Sequence, residues 1–165
     1  FHDAKQDATW RDYCIQFLGV LYGRAGEEDR KAMRAAFAEG MKEEATPVPG
    51  TVLLAMARNA GAPGLPREQV SATAARVSGD GAYSAAARTS ALQVCAQLGE
   101  TAALPTARAL AADEIAPVPL RMSAIACVGA LGTRTDLDLL ARLANAADAR
   151  LRTAAVRAGA VLESR

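Results

Sequence analysis

The side chains that could act as nucleophiles, bases or anion binders are few and scattered. The chain has one histidine, His2, and three cysteines, Cys14, Cys95 and Cys127. A nucleophile needs a base within hydrogen-bond reach, and a single histidine at a frayed end builds no triad with these thiols. No Cys-x-x-Cys pair occurs, so neither a zinc site nor a disulfide framework is indicated. Cys14 and Cys95 fall on apolar helical positions and read as small buried hydrophobes, and all three thiols are expected to be free. Glu43 and Glu44 are consecutive near a helix end and read as a solvated loop. There is no Gly-rich phosphate loop. No catalytic residue, cofactor-binding residue or metal ligand is assigned, and the expectation is a protein that is not an enzyme.

Arginine offers more. Arg11, Arg88, Arg121 and Arg152 occupy one column of a repeated pattern. Three of them stand four residues after a possible helix N-cap (Asp7, Ser84 and Asp148), while Pro117 fills the fourth slot. Such a column can bind phosphates, or it can brace turns through carboxylates and carbonyls. The second role needs no ligand and is the expectation. A second set lies on alternate helices: Arg34, Arg76, Arg108, Arg142 and the acidic Asp138. These are the candidate interaction residues. Their register is ragged, and a net charge of +1 supplies no basic stripe for nucleic acid.

The elements that position these residues are helices. Ala87–Gly99, Leu120–Gly132 and Leu151–Leu162 align, with offsets of 33 and 31 residues between their arginines. Ala91, Ala124 and Ala155 form a second column, and Leu98, Leu131 and Leu162 a third. A period in this range, with helical spacing inside each copy, points to stacked helical pairs. Gly23, Gly61, Gly99 and Gly132 punctuate the chain at intervals of 38, 38 and 33 residues. Each is expected to end the first helix of a pair with a positive φ.

Taken in order, the first helix spans Asp7 to Tyr22, with Trp10, Tyr13, Cys14, Phe17, Leu18 and Leu21 as its buried stripe. The second opens at Glu27 and ends near Lys42, its apolar side being Met33, Phe37 and Met41. Thr51 to Ala60 is the third, and Pro66 starts the fourth, with Val70, Ala74 and Val77 inward. The fifth covers Tyr83 to Leu98, the sixth Thr101 to Ala112, and the seventh runs from Pro117 to Gly132. Thr135 and Asp138 form a capping-box pattern for the eighth, whose inner stripe is Leu137, Leu140, Leu143 and Ala144. The ninth runs from Asp148 to about Glu163 as an unpaired first helix. Its Leu151, Ala155, Ala158 and Leu162 face inward, while Val156 and Val161 lie on the other flank.

All but one of the aromatic residues lie between Phe1 and Phe37, which suggests rings filling the first pair, with Tyr22 or Phe1 as the alternative exposed anchor. No apolar stretch is long enough to span a bilayer. Phe1 stands where an initiator Met would be, which reads as a trimmed or processed chain, so a removed signal peptide or anchor would leave no trace. Unpaired thiols point weakly to the cytoplasm.

The segments Leu120-Arg121 to Ala124-Ile125, Leu131-Gly132, Leu137 to Leu143 and Asp148 to Val161 resemble the HEAT-repeat family, in its short phycobilisome-lyase-type branch. The last three pairs match well; Thr51 to Val77 matches poorly. The resemblance implies an all-α fold, an α-α superhelix in a single domain over residues 1–165, of about four helical pairs plus one terminal helix. In that family the arginine column braces turns between repeats through an acidic partner. The implied function is a scaffold or adaptor that binds a protein or peptide on a concave face lined by the even-numbered helices. The alternative is a nucleic-acid-binding array or a HEAT-like DNA glycosylase. No cofactor is expected, and a monomer is favoured, with Arg150, Arg157 and Arg165 making the last helix an improvised polar cap.

Overall fold

The computed structural model describes residues 7–165. Among the described residues there are nine α-helices and no strand. They are α1 (Ala8–Leu21), α2 (Glu27–Gly40), α3 (Val48–Arg58), α4 (Arg67–Gly79), α5 (Ala85–Leu98), α6 (Leu104–Ala112), α7 (Val118–Leu131), α8 (Leu137–Leu143) and α9 (Ala149–Glu163). Short 3-10 turns at Tyr22–Arg24, Thr101–Ala103 and Arg134–Asp136 precede or follow them.

Local chemistry moves several boundaries. α3 begins three residues earlier than the sequence predicts, because Pro49 is accommodated in its first turn, where no intrahelical N–H is required. Thr101–Ala103 forms a 3-10 turn, and α6 starts only at Leu104, with Pro105 in its first turn. α5 starts at Ala85, capped by Ser84, whose hydroxyl accepts from the Ala87 N–H at 3.2 Å. Before α8 the carboxylate that turns back is that of Asp136, which accepts from the Thr133 N–H at 2.9 Å, rather than that of Asp138. Of the four punctuating glycines, only Gly61 and Gly99 are left-handed, at φ +93° and +75°. Gly23 lies in a 3-10 turn, and Gly132 is extended, at φ −71°.

The odd-numbered helices form one layer, in which α1, α3, α5, α7 and α9 each pack on the next. Successive even-numbered helices scarcely touch. α4, α6 and α8 lie instead against the odd helix that follows each of them. The real pairs are therefore α4–α5, α6–α7 and α8–α9, and α9 is the second member of a pair rather than an unpaired first helix.

Small residues let the odd helices approach closely. A Cβ on Gly19 would lie 2.6 Å from that of Ala55, and one on Gly129 would lie 2.7 Å from that of Ala158. Ala91, Ala124 and Ala155 are all buried. A continuous core runs from Ile15 to Leu162. Val70, Ala74 and Val77 point inward as expected, as do Leu151, Ala155, Ala158 and Leu162. Leu131 departs from its column: it closes α7 at the rim, only partly buried.

α1 differs most from expectation. Its buried face is Ile15, Gly19 and Tyr22, turned towards α3. Trp10, Tyr13 and Phe17 are 55%, 61% and 63% exposed, and Leu21 is exposed with them. α2 touches α1 too little to cover this stripe.

Candidate interaction surfaces

Each arginine of the repeated column is engaged within the chain. Arg88 donates from Nε to the Ser78 carbonyl at 3.0 Å, in the last turn of α4. Arg121 donates from Nε and Nη2 to the Ala111 carbonyl at 3.3 and 3.2 Å, in the last turn of α6. Arg152 donates from Nη1 to the Ala146 and Ala147 carbonyls at 2.9 and 2.7 Å, just after α8. Arg11 forks onto Glu43 at 2.9 and 2.8 Å, just after α2. These are the ends of the even helices, where carbonyls lack intrahelical donors and the helix dipole favours a cation. Three further arginines serve odd helices. Arg30 reaches the Tyr22 carbonyl at 3.2 Å, Arg67 that of Leu98 at 3.0 Å and Arg165 that of Ala130 at 2.9 Å. Glu43 is thus a half-buried ion-pair partner and not a solvated loop acid.

The second arginine set is tied to separate partners. Arg34 donates to Glu27 at 2.8 Å and to the Tyr22 hydroxyl at 3.1 Å. The hydrogen bond from Arg34, helped by its charge, holds the Glu27 carboxyl below the usual range. Arg76 stands over the Tyr83 ring, 5.8 Å from its centroid, with Asp80 at 4.0 Å. Arg108 pairs with Asp136 at 2.6 and 3.0 Å. Arg142 and Asp138 are exposed on α8.

Tyr22, the suggested exposed anchor, is fully buried. Its ring stacks on Phe37 at 6.1 Å and its hydroxyl donates to the Pro63 carbonyl at 2.8 Å. Phe1 and His2 lie outside the described residues. Of the rings expected to fill the first pair, Tyr22 and Phe37 do so, while Trp10, Tyr13 and Phe17 are exposed. An apolar stripe in a sequence does not reveal which face acquires a neighbour, and α1 is apolar on two faces.

Several grooves open between helices among the described residues. One, of about 680 Å³, runs between α7 and α9. Met122, Ala126, Gly129, Ala154, Ala158 and Val161 make an apolar floor, and Arg150, Arg157 and Arg165 stand around it. Arg150 is held by Asp148 at 2.7 Å. That hydrogen bond, with one from the Arg150 backbone, lowers the Asp148 carboxyl to about 2. A second groove of about 370 Å³ lies between α1 and α3, lined by Gly19, Val20, Leu54 and Arg58. A third, of about 380 Å³, lies on the far side of α9 against α8, with Val156, Gly159, Ala160, Ala141 and Ala144 in its walls. No spacing rule in the sequence marked the first groove, because most of its floor is alanine and glycine.

Among the described residues no helix is long and apolar enough to cross a membrane. Comparison with protein-family models, with curated proteins and with solved structures gives no match.

Proposed function

We propose that this chain is a HEAT-like helical array that binds a protein segment, and that its docking site is the α7–α9 groove. The observation that carries this reading is an apolar trough of about 680 Å³ with arginines around it, on the side of the odd-helix layer that no even helix covers. A trough between helices accepts the apolar face of an amphipathic helix, and its arginines select acidic residues along that helix's flanks. The repeated arginine, alanine and leucine columns support the HEAT-like reading. The arginines engaged at helix ends weigh against the nucleic-acid alternative, since they contribute no free basic stripe.

The test is fluorescence anisotropy with a labelled helical peptide carrying one leucine face and one glutamate face. Saturable binding is expected. Ala126→Trp, which fills the trough from an exposed position, should abolish it. Arg157→Glu should weaken it and flatten its salt dependence. Unchanged binding by Ala126→Trp would place the site elsewhere, and equally tight binding of random duplex DNA would favour the nucleic-acid reading.

A further inference from the structure

The trough between α7 and α9 carries charge on one wall only. Along α7, Met122, Ala126 and Gly129 follow one another at intervals of four and three residues. Along α9, Arg150, Ala154, Arg157 and Val161 do so at four, three and four. This is the spacing of a helical seam, into which a third helix settles nearly parallel to the walls. The only charged residue of α7 is Arg121, and it is engaged on the Ala111 carbonyl. Helix α5, beyond α7, is equally bare. Its one charged residue, Arg88, holds the Ser78 carbonyl, and its exposed residues are Ala86, Gln93 and Gln97.

The cations of the trough all stand on the α9 side, and they are not equivalent. Arg150, at the start of the helix, is matched by Asp148 at 2.7 and 3.1 Å. Arg157, two turns on, is exposed and bonds to no described residue. Arg165 gives one N–H to the Ala130 carbonyl at 2.9 Å and meets no described carboxylate. None of the other charged residues from Asp113 to Arg165 lines the trough, and Glu163 lines the groove facing α8 instead. Unmatched positive charge therefore falls on one wall, and on the half of that wall from Arg157 onwards.

Resting on the reading that this trough docks a helix, we infer that the partner helix is lopsided: its acidic residues lie on one flank and in one half of its length, and its other edge positions are uncharged. The two asymmetries act together. Reversing a helix in a trough exchanges both the flank that meets α9 and the half that meets Arg157. A segment with its acids on the matching flank but in the wrong half satisfies only one condition in either direction. The charge pattern of the partner thus sets the direction in which it lies.

Four labelled peptides of identical composition test this. Each is a three-heptad helix, stapled on its outer face, with leucines along the seam. Each carries two glutamates on one flank in one half, and glutamine at every other edge position. Fluorescence anisotropy should separate them into two pairs. The two tight binders should differ from each other in both flank and half, and should exceed the other two by about fivefold or more at low salt. A benzophenone at the amino end of each tight binder should cross-link near Ala149 in one case and near Val161 in the other. Arg157→Gln, at an exposed position, should leave the circular dichroism unchanged and bring the four affinities together. Equal affinities for the unmodified chain would overturn the inference and leave the trough as a docking site without polarity. So would a ranking in which the two tight peptides share a flank or a half. If all four fail to bind, the docking reading falls, and this inference with it.

Discussion

The Arg108 guanidinium on α6 grips the Asp136 carboxylate ahead of α8, its Nε 2.6 Å from Oδ1 and its Nη2 3.0 Å from Oδ2. Asp136 is 4% exposed and is the only Asp, Glu, Lys or Arg side chain in the buried set among the described residues. Its second partner is the Thr133 N–H. The pair ties two even helices that otherwise scarcely touch.

Removing either partner should therefore be felt. Arg108→Ala takes two hydrogen bonds from a buried carboxylate, at a cost of about 1–2 kcal/mol once the half-exposed guanidinium is allowed for. Urea unfolding read by circular dichroism checks this. The hydrogen bond from Arg108, then that from Thr133, lowers the Asp136 carboxyl below 3.8. A carboxyl lowered by folding stabilises the native state above its unfolded value and loses that contribution as pH falls through its folded value. The unmodified chain should lose stability below about pH 4, and Arg108→Ala should lose less over that window.

The α7–α9 contact gives a paired prediction in which the same substitution has opposite signs. Gly129→Ala forces a methyl to within 2.8 Å of the Ala158 backbone and should cost about 1–3 kcal/mol. Gly159→Ala enters open space on a helix and should gain about 0.5–1 kcal/mol. Thermal melts of the two variants decide it. Equal shifts would mean that the helices are not so closely apposed.

Thiol labelling should be graded. All three described cysteines are unpaired. Burial pushes Cys95 up to about 12 and Cys127 up to about 11, whereas Cys14 is half-buried. In the native protein one thiol per chain should react promptly with a maleimide, and mapping should place it at Cys14. The other two should react only after unfolding.

Leucines on neighbouring helices should not respond uniformly. Leu140→Ala removes a buried side chain and should cost about 2–5 kcal/mol. Leu131, half-buried at the end of α7, should cost less than half as much in the same urea titration.

Helix number and punctuation were legible because apolar spacing, N-caps and prolines act within one or two turns of chain. Asp7, Ser84 and Asp148 each accept from the first turn they cap. Pairing was not legible. A glycine at 23, 61, 99 or 132 suggests where a helix stops, but not whether the next helix turns back or moves on. The stripe of α1 was visible as apolar, yet its burial depends on a neighbouring helix, and α2 makes little contact with α1. The α7–α9 groove was invisible for a different reason. Small residues give no periodic signal, and a trough is defined by side chains that are absent.

The packing of each odd helix on the next also bears on how the chain acquires its structure. Contacts within the layer join segments about one repeat apart. No folding step must bring remote parts of the chain together, so the entropy of loop closure is modest at each addition. Helices α5 and α7, each flanked on both sides within the layer and each covered by an even helix, are the natural nucleus. Order should spread from them in both directions, and amide hydrogen exchange should slow in the same sequence, with α1 the last to be protected.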